Sequence, residues 1–177
     1  MRQRRSKLDP LSRIITLGYI DSIDTNLIIQ DIYEINEEDA KKQTVEPIKL
    51  IINSSGGEIY SGLALIDVID NSQTPIHTIC HGSAMSMALM VYASGHRRIA
   101  SKYATFMYHE ALDTHPYDKL SIIKENLDES NRLMKQYDTI LLLKSTVSQK
   151  QLDEVKKSRR DWYFTANEAL KIGRAHV

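Results

Sequence analysis

Ser86 closes the stretch His81-Gly82-Ser83-Ala84-Met85-Ser86, which joins an apolar run to a largely apolar segment of helical character. A serine at the start of a helix meets unpaired backbone N–H groups and the positive end of the helix dipole, and both favour an oxyanion forming beside it. Serine is also a preferred helix cap, so this residue alone reads either way. Upstream, Gly56 and Gly57 end a second turn between a strand-like and a helix-like run. Glycine lets a backbone approach a substrate closely and turn an N–H toward it. One N–H from that turn and one from Met87 would make a two-donor hole for a negative oxygen. The turn is not a phosphate loop, because the chain contains no Gly-x4-Gly-Lys-Ser/Thr pattern.

A serine hydroxyl is a weak nucleophile until a neighbouring base takes its proton, and a carboxylate on the far imidazole nitrogen fixes the tautomer of such a base. His109 and Asp161 are the candidates for these two parts. Each has a plainer alternative: His109 can simply end a strand whose Phe106 and Tyr108 face one way, and Asp161 can pair with Arg159 or Arg160 on the surface. Lys102 would be the base of a Ser-Lys dyad, an arrangement that leaves His109 and Asp161 without a part. His77 and His81 share a strand face but stand about 13 Å apart at strand rise, too far to chelate one metal ion. No cofactor and no metal are expected.

Together these residues carry a resemblance. The segments 52–57 (Ile-Asn-Ser-Ser-Gly-Gly), 78–87 (Thr-Ile-Cys-His-Gly-Ser-Ala-Met-Ser-Met), 107–109 (Met-Tyr-His) and 160–166 (Arg-Asp-Trp-Tyr-Phe-Thr-Ala) resemble the successive signatures of the ClpP peptidases, in the same order and at nearly the same separations. The resemblance runs over residues 11–177. It implies that Ser86 is the nucleophile, His109 the base and Asp161 the acid that orients it, with the Gly57 and Met87 amides as oxyanion hole. The chain order Ser, His, Asp differs from the Ser, Asp, His order of α/β-hydrolases. Ser55 stands where the family usually has proline, Glu110 and Ala111 replace a common Gln-Pro, and residues 112–118 lack the glycines of the family's substrate-pairing strand.

The same resemblance implies a ClpP/crotonase-type α/β fold of stacked strand-helix turns with a projecting handle helix. It implies homo-oligomers, seven-membered rings stacked into a hollow barrel with the active sites inside, and an AAA+ unfoldase as a candidate partner. The function expected is that of a serine endopeptidase acting on peptides and unfolded proteins. A phage-type capsid or scaffold maturation protease working without an ATPase, and a ring subunit without catalysis, are the alternatives.

The elements that must position these residues show in the hydrophobic pattern. Residues 13–18, 48–53, 76–80, 97–101 and 105–109 read as strands, with 81–84 as a turn. Helical spacing marks 21–42 through Ile28, Ile32 and Ile35, then Ile59, Leu63, Ile66 and Ile69, then 85–93. From 117 to about 145 there is no Gly or Pro, and Leu120, Ile123, Leu127, Met134, Tyr137 and Leu141 follow 3–4 spacing; this is the expected handle, and its apolar stripe calls for a partner. A helix over 148–157 and a capping box at Thr165 and Glu168 opening a last helix complete the pattern. Alternating strands and helices predict a layered α/β fold with right-handed crossovers.

The bulk composition excludes several classes. Lys+Arg and Asp+Glu balance at 23 each, which argues against a general affinity for nucleic acid or anionic membrane. Four basic side chains crowd the first seven residues, and residues 1–10 are read as a solvated arm preceding a peptidase domain over 11–177. The one cysteine, Cys80, rules out an intrachain disulfide and fits a reducing compartment. With no apolar stretch of about 18 residues, the chain is expected to be soluble and cytoplasmic.

Overall fold

The computed structural model describes residues 12–110 and 120–173; the expected arm, residues 112–118 and the start of the expected handle lie outside them. The elements follow as β1 (Ile14–Leu17), α1 (Ser22–Asp39), β2 (Ile48–Ser54), α2 (Ile59–Asn71), β3 (Ile76–Met85), α3 (Met87–Ser94), β4 (Arg97–Ala100), β5 (Thr105–Tyr108), α4 (Leu120–Lys144), α5 (Gln149–Ser158), β6 (Trp162–Thr165) and α6 (Ala166–Ile172). The strands form one mixed sheet in the order β1-β2-β3-β5-β6, with β4 also on β3. This is the α/β architecture the sequence pattern and the resemblance imply.

Local chemistry sets the helix ends. Asp21 caps α1, its carboxylate accepting from Ile23 N at 2.9 Å and Asp24 N at 2.8 Å. Ile28, Ile32 and Ile35 are buried at the helical spacing read from the sequence. Ser148 and Thr165 each build a reciprocal capping box, with Gln151 and Glu168 respectively. At the end of α1, Asp39 is buried against Arg13 at 2.9 Å, Thr74 Oγ1 at 2.8 Å and Lys42 Nζ at 3.0 Å, which ties β1, α1 and the turn before β3.

Two features depart from the pattern. Residues 81–84, expected as a turn, continue β3, which reaches Met85. This long strand serves two neighbours along one edge: residues 77–80 pair with β4 and residues 83–85 with β5, both parallel. The ladder gives a use to backbone groups that local glycine and serine content would have left to solvent. Strand β6 has no expectation behind it; it pairs antiparallel with β5, and its Phe164 stacks on Phe106 at 5.4 Å while Trp162 lies 4.9 Å from Phe164. Tertiary aromatic packing makes this four-residue strand, where local pattern is too short to read.

The core between the sheet and α1, α2 and α3 is built from buried Ile, Leu and Met side chains, with α3 buried over its whole length. The apolar stripe of α4 divides. Leu133, Tyr137 and Leu141 are buried within the chain's own core region, whereas Ile123 and Leu127 are 41% and 55% exposed. Among the described side chains of the stripe, it is Ile123 and Leu127 that face solvent. Among the described residues no helix is long and apolar enough to cross a membrane.

Candidate active site

Ser86 follows directly on β3 and precedes α3. Its backbone is in a left-handed region, φ 52 and ψ −131, which non-glycine residues avoid, and its hydroxyl makes no helix-capping bond. The capping alternative thus does not describe it. The hydroxyl meets His109 instead: Ser86 Oγ lies 2.8 Å from His109 Nε2. The β3–β5 register produces this meeting, because Met85 pairs with Met107 and Ser86 N–H donates to Met107 O at 2.9 Å. His109 then comes two residues further along β5's direction, at the sheet's end.

The glycine turn lies against the same serine. A Cβ added to Gly56 would stand 2.7 Å from Ser86 Cβ and 2.9 Å from the Met85 carbonyl oxygen, and Gly56 has φ +105. Gly57, at φ +148, is bridged to Ile20: Ile20 N–H donates to Gly56 O at 2.9 Å and Glu58 N–H to Ile20 O at 2.8 Å. That pattern passes over the Gly57 N–H, which it leaves unpaired. Met87 is the first helical residue of α3, so its N–H is among those a helix start leaves without an internal acceptor.

Asp161 immediately precedes β6. Continuing the antiparallel pairing of Tyr108 with Trp162 by one step sets Asp161 across from His109. Its side chain is exposed, and it makes no hydrogen bond or ion pair among the described residues, with His109 or with the flanking arginines. The structure brings Ser86 and His109 together and joins Asp161, just before β6, to neither of them. Lys102 is elsewhere, in the turn between β4 and β5, with Nζ 5.1 Å from the Tyr103 ring centroid. His81 Nδ1 is 2.6 Å from Ser101 Oγ, and burial pushes the ionisation of His77 down. No group of three His, Cys, Asp or Glu side chains among the described residues is arranged to hold a metal ion. Cys80 is buried, which pushes its thiol up to about 12.

A layer behind the pair was not read from the sequence. Tyr108, the residue before His109, is fully buried and donates its hydroxyl to Asp138 Oδ1 at 2.5 Å. Asp138, on α4, is ion-paired to Lys156 of α5. Burial, and then the Asp138 carboxylate, push the Tyr108 hydroxyl well above the usual phenol range. The one signal in the sequence was a charged residue inside the buried half of an apolar stripe.

A serine hydroxyl hydrogen-bonded to imidazole can add to a carbonyl, and the oxyanion that results needs N–H donors of the kind that Met87 offers at the start of α3. Comparison with known families decides which chemistry this is: the model of the Clp protease family matches residues 3–176. The chain belongs to the Clp protease family. Among relatives, the ATP-dependent Clp protease proteolytic subunit 3 of Parasynechococcus marenigrum is 32% identical over 168 residues, covering 92% of this chain and 80% of that one. The ATP-dependent Clp protease proteolytic subunit 1 of Prochlorococcus marinus subsp. pastoris is 32% identical over 165 residues, covering 91% and 80%. As a Clp protease, the chain is a serine-type peptidase, and the α/β fold described above agrees with the family's.

Proposed function

We propose that this Clp protease is an endopeptidase that cleaves peptides and unfolded proteins through Ser86, His109 and Asp161. The observation that carries the reading is the 2.8 Å contact of Ser86 Oγ with His109 Nε2, made by a serine in a conformation it would not adopt for capping. His109 takes the Ser86 proton as Oγ attacks the scissile carbonyl carbon. The oxygen of the tetrahedral intermediate accepts hydrogen bonds from the Gly57 and Met87 N–H groups. His109 returns the proton to the leaving amine, an ester remains on Ser86, and water deprotonated by His109 hydrolyses it. In this scheme the Asp161 carboxylate turns inward from its exposed position to accept the Nδ1–H of His109.

The assembly expected of the family, stacked rings enclosing the sites, is part of the proposal. The exposed Ile123 and Leu127 on α4 support an interface along that helix. The relatives are named as subunits of ATP-dependent proteases, and this chain has no phosphate-binding loop. Unfolding of stable substrates is therefore assigned to a separate ATPase. The ring subunit without catalysis is disfavoured by the Ser86–His109 contact. The test is fluorophosphonate labelling of the purified chain, with mapping of the label, alongside cleavage of a fluorogenic peptide in each size-exclusion fraction. Label on Ser86, with activity in an oligomeric fraction, supports the reading; an unlabelled, inactive chain refutes it.

A further inference from the structure

One buried carboxylate joins α4 to the segments that lead to His109 and to Asp161. Asp138 stands on α4 and is 6% exposed. Its Oδ1 accepts the hydroxyl of Tyr108 at 2.5 Å, and its Oδ2 accepts from Lys156 Nζ of α5. Tyr108 is the last residue of β5 and immediately precedes His109. Lys156 lies in the last turn of α5, which ends at a left-handed Arg159, two residues before Asp161. The segments that deliver the base and the acid are thus both held to α4 through a single side chain.

Stability does not account for this arrangement. Taking a carboxylate and an ammonium out of water carries a desolvation penalty that their attraction need not recover, and apolar side chains of similar volume often serve a fold as well or better. The other buried positions of this half of α4, Leu133, Tyr137 and Leu141, carry apolar or aromatic side chains. Geometry accounts for it. Tyr108 and His109 share a peptide unit, so anchoring the Tyr108 phenol on α4 fixes the backbone from which the imidazole projects. From that backbone His109 holds Nε2 at 2.8 Å from Ser86 Oγ. Burial, and then the carboxylate, keep the phenol protonated, so it remains the donor.

We propose that Asp138 is a positioning residue for the peptidase reaction: one carboxylate oxygen sets the end of β5, and with it the His109 imidazole, while the other sets the end of α5 that leads to Asp161. Asp138 touches neither the substrate nor the reacting atoms and acts through Tyr108 and Lys156. With this tie removed the sheet still forms, but a base displaced by a fraction of an ångström takes the serine proton less readily, because proton transfer and attack depend on close alignment. This inference rests on Ser86 being the nucleophile and His109 its base.

The experiment separates position from stability. It compares wild type with the triple variant Tyr108→Phe/Asp138→Leu/Lys156→Met, which replaces the whole tie by apolar side chains and leaves no buried polar group unpaired, and with Tyr108→Phe, which frees β5 and keeps the Asp138–Lys156 pair. Each is read for the rate of Ser86 phosphonylation by a fluorophosphonate, kcat and KM on a fluorogenic peptide, the thermal midpoint, and oligomer size by light scattering. Positioning predicts that the triple variant keeps its thermal midpoint and oligomer size while phosphonylation and kcat fall about tenfold and KM stays within about twofold. Rates within about twofold of wild type overturn the role. So does a loss that tracks a lowered thermal midpoint, a smaller oligomer or a raised KM, since those mark folding, assembly or substrate binding. Should the triple variant not fold, Tyr108→Phe decides by the same readings. Wild-type protein that takes no label at Ser86 would instead overturn the catalytic reading of the site, and this inference with it.

Discussion

Ser86 Oγ and His109 Nε2 are 2.8 Å apart although 23 residues separate them in sequence. What joins them is the parallel pairing of the last residues of β3 with β5, which sets Met85 beside Met107 and lets Ser86 N–H reach Met107 O. The serine is then held at φ 52, a conformation that costs on the order of 1–3 kcal/mol and persists only where the surroundings impose it. Strain at this position, with Gly56 packed against it, supports the proposal that Ser86 is the nucleophile.

Ser86→Ala removes one hydroxyl without altering the ladder that holds the backbone. Peptide hydrolysis is expected to drop by more than ~10³-fold with circular dichroism and oligomer size unchanged. Near-native turnover in protein freed of contaminating protease would exclude Ser86 as nucleophile.

His109→Ala is expected to be as severe as Ser86→Ala, and Lys102→Ala to be mild, because Lys102 lies against Tyr103 and not against the serine. Steady-state kinetics of the two variants decide this. The reverse ranking would move the mechanism to a Ser-Lys dyad.

Gly56→Ala places a methyl group 2.7 Å from Ser86 Cβ and 2.9 Å from Met85 O, at a φ of +105 that L-residues rarely adopt. The turn must shift, and with it the Gly57 N–H proposed for the oxyanion. Turnover is expected to fall by about 10²-fold, the scale of one misplaced oxyanion donor, with a smaller change in KM. Kinetics equal to wild type would detach this turn from the site.

Asp39 tests the frame and not the site. Arg13, then Lys42 and Thr74, hold its carboxyl well below the usual carboxylate range against the opposing effect of burial. A carboxyl whose folded-state ionisation is depressed contributes stability that is present above its unfolded value near ~3.9 and is lost as pH falls toward the folded one. Asp39→Asn should therefore cost about 3 kcal/mol at pH 7, and the gap from wild type should narrow at pH 3. Urea titrations of both proteins at the two pH values measure it, and a gap independent of pH would contradict the ion-pair account.

Leu127→Asp probes assembly. Leu127 is 55% exposed, so a charge there is harmless to a lone subunit and costly in an interface. Light scattering should show weakened oligomers with intact secondary structure. Leu141→Asp, by contrast, puts a charge into the chain's own core, where Leu141 is 3% exposed, and should lower the thermal midpoint whether or not the protein assembles. Equal oligomer size for wild type and Leu127→Asp would place the interface elsewhere.

The amino-acid sequence by itself determined the elements whose chemistry is local. The caps at Ser148 and Thr165 satisfy N–H groups within three residues, and the apolar spacing of Ile28, Ile32 and Ile35 follows from the helical period. It also named Ser86, His109 and Asp161, because their order and flanking residues carry a family's pattern. Tertiary structure alone decided that residues 81–84 belong to β3, that a short β6 exists, and that the stripe of α4 divides between the chain's own core and its surface. Each of these depends on a partner distant in the chain: β5 for the end of β3, Phe106 for Phe164, and the sites around Tyr108 for Tyr137 and Asp138. Strand pairing and burial are contacts between segments, and neither the hydrophobic period nor a turn signal records which segments will meet.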